Sequence, residues 1–214
     1  MSYLSAQPGR STRARVVLGA VVFAVGFIVV TSLDKWLWAA LLTDKPIESR
    51  DWYRMLRIAG YLPTWVIAGT VVAIVGRHAR GIGPGIALAG SAAMAGLAAE
   101  ILKLVIARER PGETGEYVYR GIFAGFADGS NLGMPSSHAA VAFGAAIAAG
   151  RLMPGTGWVL FPIACGCGLT RLLMGDHFTS DVYVAAWLGL VSAVVCVPRR
   201  DRRRERGGTA RLSA

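Results

Sequence analysis

The chain has 214 residues, of which 54% are hydrophobic, with a mean hydropathy of +0.47 and a formal net charge of +10. Apolar residues in such long blocks exclude an ordinary soluble domain and predict an all-α integral membrane protein, since about 20 apolar residues are needed to cross roughly 30 Å of hydrocarbon. Six candidate spans occur, at about 16–33, 58–76, 82–107, 136–150, 156–174 and 180–197, and they form one membrane domain over 16–197.

In chain order, residues 1–15 make a basic arm whose Arg10, Arg13 and Arg15 precede the first apolar run. A secretory signal begins in the same way, but this run is long for one and no small-residue cleavage site follows it, so it reads as a membrane anchor. Segment 34–57 mixes Trp36, Trp38 and Trp52 with charges, the pattern of an interfacial helix and turn. In the third span Gly85, Ala89 and Ala93 recur every four residues, as do Ala140, Gly144 and Ala148 in the fourth. Such seams of small residues allow helices to approach closely in lipid.

Lys103 lies about a turn from the end of the third span, with Arg110 seven residues later and Pro111 after it. If the helix continues for two more turns, Lys103 and Arg110 project from one face. A lysine at this depth can instead snorkel or pair with Glu100, and Arg108 and Glu109 make the rim charged in any case. The following loop, 112–134, is expected to shape a pocket at the membrane surface, and its Tyr117, Tyr119 and Phe126 read as interfacial aromatic anchors.

Pro135, Ser136, Ser137 and His138 open the fourth span, where free N–H groups and the positive helix end favour an anion. Ser136 or Ser137 can cap that helix. His138 suits a positive helix end poorly on charge grounds, yet is well placed to give a proton to the leaving oxygen of a bound phosphate. Cys165, Cys167 and Cys196 sit in apolar stretches and read as small fillers rather than a metal or disulfide pair. Arg171 closes the fifth span, His177 follows in a short loop, and Asp181 opens the sixth. At a spacing of four, the Asp181 carboxylate can reach one ring nitrogen of His177 and turn the other outward, with Asp176 as a competing partner. Lys103, Arg110 and Arg171, two histidines and one carboxylate suffice to break a phosphoester without a metal or other cofactor.

Orientation follows from counting basic residues. With the N-terminus cytoplasmic, that side carries 13 arginines against Asp201 and Glu205, a net of +11, and the other side nets −1, which together recover the +10 of the chain. Both termini are then cytoplasmic, and all three motifs emerge on the extracytoplasmic face. The tail 198–214, with its run Arg199 to Arg206, could be taken for a nucleic-acid patch. Attraction of a juxtamembrane arginine cluster to anionic lipid accounts for it, so no nucleic-acid partner is expected.

The three motifs resemble those of the type 2 phosphatidic acid phosphatase (PAP2) superfamily, K-x6-R-P, P-S-G-H and S-R-x5-H-x3-D. Lys103, Arg110 and Pro111 match the first; Pro135, Ser136 and His138 the second, with Ser137 in place of Gly; Arg171, His177 and Asp181 the third, with Thr170 in place of Ser. The likeness covers about residues 82–197. It implies that His177 attacks phosphorus to give a phosphohistidine and that Asp181 orients it. His138 would protonate the leaving group and then activate water, while Lys103, Arg110, Arg171, Ser136 and Ser137 would hold the phosphoryl oxygens, with nearby backbone N–H groups adding hydrogen bonds.

A site at the outer surface of a cell membrane suits a lipid with an exposed phosphate, such as undecaprenyl pyrophosphate, phosphatidylglycerophosphate, phosphatidic acid or lipid A phosphate. Two other classes share the scaffold: a phosphotransferase that passes the phosphoryl group to a lipid acceptor, and a non-catalytic membrane transporter that keeps only the anion-binding rim.

Overall fold

The computed structural model describes residues 8–43 and 46–197, so arm residues 1–7 and the basic tail 198–214 lie outside the described residues. The described chain is helical: α1 (Pro8–Leu41), α2 (Asp51–Ile58), α3 (Leu62–Gly76), α4 (Gly83–Ile106), α5 (Ser137–Leu152), α6 (Gly157–Leu173) and α7 (Thr179–Cys196). Single 3-10 turns occur at Ile47–Ser49 and Ala124–Phe126. Helices α4 to α7 begin and end close to the boundaries expected from the apolar runs.

Length is where the expectation of six spans falls short. Helices α1, α4 and α7 are each long and apolar enough to cross a membrane, and α2 with α3 would make a fourth span bent by 65°. Helix α5 has 16 residues, and at about 1.5 Å per residue it reaches roughly 24 Å against a hydrocarbon core of roughly 30 Å. Helix α6, with 17 residues, is also short. The apolar helices are consistent with a membrane protein. Segment 34–57 is likewise not one interfacial unit. Helix α1 runs through Trp36 and Trp38 to Leu41, and only α2 is a short amphipathic helix.

Helix α5 is the axis of the bundle and packs against α4, α6 and α7. Its run of alanines, from Ala139 to Ala149, is buried on nearly every side, as expected of a helix apolar all round. The small-residue seams do the work expected of them. A Cβ on Gly85 would clash with the Gly69 carbonyl of α3, and one on Gly144 would lie 2.9 Å from both Ala95 Cβ and the Ser91 carbonyl of α4. Ser91 Oγ closes that contact by donating to the Gly144 carbonyl at 2.8 Å.

The hydropathic window of α1 has a mean hydropathy of 2.7 and none of it is buried in the protein, so most of its surface is left for lipid. It is fastened to α7 through Phe23, whose ring meets Trp187 edge-on at 5.6 Å, and through Gly26, which leaves room for Tyr183. At its far end, Trp38 packs on Gly115 and Gly175. The last turns of α1 therefore lie against the α6–α7 connection.

Candidate functional site

The C-terminal ends of α1, α4 and α6 meet the N-terminal ends of α5 and α7 at one end of the bundle. All eight residues singled out in the sequence, Lys103, Arg110, Ser136, Ser137, His138, Arg171, His177 and Asp181, lie there.

Helix α4 does not continue to Arg110. It stops at Ile106, and Ala107 takes a left-handed conformation with φ 49° that turns the chain out of the helix. Residues 108–110 are extended, held by Glu109 N–H to Val118 O (2.9 Å), Arg110 N–H to Asn131 O (3.0 Å) and Gly133 N–H to Arg108 O (2.8 Å). In an extended segment alternate side chains share a face. Arg108 and Arg110 thus point together towards the α6–α7 connection, while Glu109 faces away and accepts from Arg120 Nε at 2.7 Å. Loop 112–134 provides the outer partners of this segment.

His177 is 3% exposed, and its Nδ1 lies 3.3 Å from Asp181 Oδ2, as the spacing of four anticipated. Nε2 is left as the free ring nitrogen. The same Asp181 oxygen accepts the Phe178 backbone N–H at 2.8 Å, so the carboxylate also secures the start of α7. Its other oxygen is held by Arg108 Nη2. Burial pushes the His177 imidazole below its ordinary value of 6.5, against the pull of Asp181, and the charges of Arg171 and Arg110 act in the same direction as burial.

Asp176 does not compete for His177. Its carboxylate joins two cations instead, accepting from Arg171 Nη2 and, at 3.5 Å, from Arg110 Nη1. Lys103 does not snorkel; its Nζ donates to Ser137 Oγ at 2.5 Å and to Glu100 Oε1 at 2.9 Å. Ser137 donates in turn to Glu100, so neither serine caps α5 with its side chain. Ser136 occupies the cap position, its N–H bonded to the Asp181 carbonyl at 3.2 Å and its hydroxyl unpaired. His138 lies within electrostatic reach of Arg171, His177 and Lys103, and Tyr61 meets its ring edge-on at 5.2 Å.

Buried polar atoms without partners cost about 1–3 kcal/mol each and call for an explanation. Arg110 Nε, Ser136 Oγ and Arg171 Nε are three such atoms, all on residues expected to hold phosphoryl oxygens. A cavity of about 550 Å³ lined by Gly150, Trp158 and Phe161 lies by contrast at the opposite end of α5, away from any of this chemistry.

Two residues of this end had no role in the sequence reading. Arg108, taken as an ordinary rim charge, is fully buried between the rings of Tyr117 (5.3 Å) and Phe178 (5.1 Å). Asp34 of α1 is also fully buried and accepts from Tyr117 Oη at 2.7 Å. Tyr117 is half-buried and tethers Asp34, whereas Tyr119 and Phe126 are exposed. An ionisable residue inside an apolar helix is the signal that would have pointed to Asp34.

Fold and site together define a helical protein, its apolar helices consistent with a membrane protein, with a cationic, histidine-containing end. A family model described as the PAP2 superfamily matches residues 84–205, and the chain belongs to that superfamily. Membership carries phosphatase or phosphotransferase chemistry in general terms. No curated protein and no solved structure matches the chain.

Proposed function

We propose that the protein hydrolyses a phosphate monoester or pyrophosphate on a membrane lipid headgroup, without a metal, through a phosphohistidine at His177. The observation that carries this reading is the set of unpaired buried atoms on Arg110, Ser136 and Arg171 in front of an oriented His177–Asp181 pair. Binding an anion needs the cations, but not a nucleophile with its own orienting carboxylate.

With its Nδ1 proton directed to Asp181, His177 attacks phosphorus through Nε2. The bond from phosphorus to the leaving oxygen breaks as His138 gives that oxygen a proton. Water then attacks the phosphohistidine and yields a proton to His138, the N–P bond breaks, and phosphate and the neutral ring are restored. Arg110, Arg171, Lys103 and Ser136 hold the phosphoryl oxygens throughout, and Ser137 helps to hold Lys103. Positioning and charge stabilisation supply most of the catalysis in such a transfer. The candidate substrates are undecaprenyl pyrophosphate, phosphatidylglycerophosphate, phosphatidic acid and lipid A phosphate, presented at the extracytoplasmic face of the inner membrane with both termini cytoplasmic.

The test is release of inorganic phosphate from these four lipids in detergent with EDTA, comparing wild type with His177→Ala. Release that depends on His177 and ignores EDTA supports the reading. Equal release by the variant overturns the mechanism, and transfer of label to a lipid acceptor without free phosphate would make the protein a phosphotransferase.

A further inference from the structure

Behind His177, on the side away from the phosphate-binding arginines, stands a charged cluster that includes a residue of α1, well outside residues 84–205. Asp34, Arg108 and Asp181 are each fully buried. Arg108 Nη2 binds Asp181 and also donates to Ser180 Oγ at 2.8 Å, while its Nη1 lies 3.9 Å from Asp34 Oδ2. Ser180 passes the contact on, with its hydroxyl donating to Asp34 Oδ2 and its backbone N–H to Asp34 Oδ1 at 2.8 Å. Tyr117 completes the shell of Asp34, and Lys35 Nζ lies beyond it, 5.7 Å from the tyrosine ring centre.

The groups that face Asp34 donate or are cationic, which favours a carboxylate against the burial that opposes any charge there. Arg108 and Asp181 alone would cancel. With Asp34 the cluster carries one net negative charge in a place that water does not reach. Phosphoryl transfer to Nε2 of a ring that keeps its Nδ1 proton creates a cation next to that charge.

Resting on the reading of His177 as nucleophile, we propose that Asp34 is a positioning residue of the site: acting through Arg108 and Ser180, it leaves the buried cluster one negative charge in excess, which balances the cation formed on the His177 ring. Helix α1 is then part of the catalytic apparatus and not only a membrane anchor.

The experiment compares wild type, Asp34→Asn and Tyr117→Phe in detergent. Asparagine keeps an oxygen for the Ser180 N–H but removes the charge, whereas phenylalanine removes one donor and no charge. The first readout is the titration of His177 by NMR of protein labelled at its three histidines, with the resonance assigned by its loss in His177→Gln. The other groups facing that ring, Asp181, Arg171, Arg110 and His138, are the same in all three proteins.

Removing a negative charge disfavours imidazolium, so the His177 midpoint should move to lower pH in Asp34→Asn and stay put in Tyr117→Phe. In turnover, kcat of Asp34→Asn should fall about tenfold or more with KM within about twofold, the size of one charge lost within about 12 Å at an effective dielectric near 20. An unmoved His177 midpoint in a folded Asp34→Asn protein, or equal shifts in both variants, would overturn the proposal by reducing Asp34 to a tether for α1. Because the titration needs no substrate, that failure is separate from the failure of wild type to release phosphate, which would count against the proposed function instead.

Discussion

Behind His177, towards α1, the charged side chains are closed off from water and largely answered by one another, Asp34 and Asp181 by Arg108 and by the groups around Ser180. In front of it the charged groups are more open: Arg110 is 41% exposed and Asp176 28% exposed, whereas Arg108 behind is fully buried. Unpartnered buried atoms occur on both sides, on Arg110, Arg171 and Ser136 in front and at Arg108 Nε and Nη1 behind. A closed network at its back can hold a ring in one orientation, because moving any member would strand a buried charge. The open front leaves donors aimed where no protein group accepts, which suits a ligand that brings several oxygens. The difference separates orienting from binding, and variants on the two sides should fail in different ways.

The largest expected effect falls on the ring between them. His177→Ala should lower turnover by about 10⁴-fold or more, as expected for loss of a nucleophile, while lipid binding, followed by co-sedimentation with vesicles containing the substrate, stays close to wild type. Loss of binding along with turnover would mean that His177 belongs to the binding front, and the division would be wrong.

Next comes the front itself. Arg110→Ala should reduce kcat/KM by about 10²-fold, the usual loss of one donor to a developing oxyanion. It should also weaken inhibition by vanadate, which mimics pentacoordinate phosphorus. Asp176 would then have only Arg171 to hold. If vanadate inhibition is unchanged while turnover falls, Arg110 acts elsewhere than on the equatorial oxygens.

A smaller effect sharpens the electrostatic side of the comparison. Burial sets the His177 ring below 6.5, so it should be neutral and able to attack at pH 7. Activity that needs the neutral ring is retained above the folded-state pKa and lost as pH falls through it, so the acid limb of kcat should lie below pH 6.5. Two esters that differ in phosphate pKa would separate the limb of the enzyme from that of the substrate. A substrate-independent limb above 6.5 would mean that Asp181 outweighs burial.

Much of the front was legible in the sequence because its residues sit at fixed spacings from helix ends. His177 and Asp181 are four apart at the start of α7, and their contact follows from that spacing alone. The back was harder to read. Asp34 was assigned to the interface because the apolar run was ended at residue 33, whereas α1 continues to Leu41 and carries the carboxylate inward. Arg108 looked like one more rim charge under the assumption that α4 continued. The left-handed Ala107 ends the helix and gives Arg108 and Arg110 a common face, and no residue preference at an alanine announces such a turn. Small-residue seams, by contrast, are a local pattern with one consequence, and Gly85 and Gly144 are packed as that pattern requires.

The smallest effect concerns Ser137, which stands where the family pattern has glycine. Its hydroxyl sits between Lys103 and Glu100 on the front side, accepting a hydrogen bond from the ammonium and donating one to the carboxylate. Both partners also meet each other directly at 2.9 Å, so removing the hydroxyl should leave Lys103 held by Glu100. Ser137→Gly should therefore change KM by no more than about threefold, the scale of a single neutral hydrogen bond, with kcat nearly unaltered. A loss of tenfold or more in kcat/KM would show instead that the hydroxyl meets the phosphoryl group, or that the added backbone freedom at the first turn of α5 displaces His138. Ser137→Ala distinguishes the two: it removes the hydroxyl but keeps the helix start, so a matching loss would locate the effect in the hydroxyl and a mild one in the backbone.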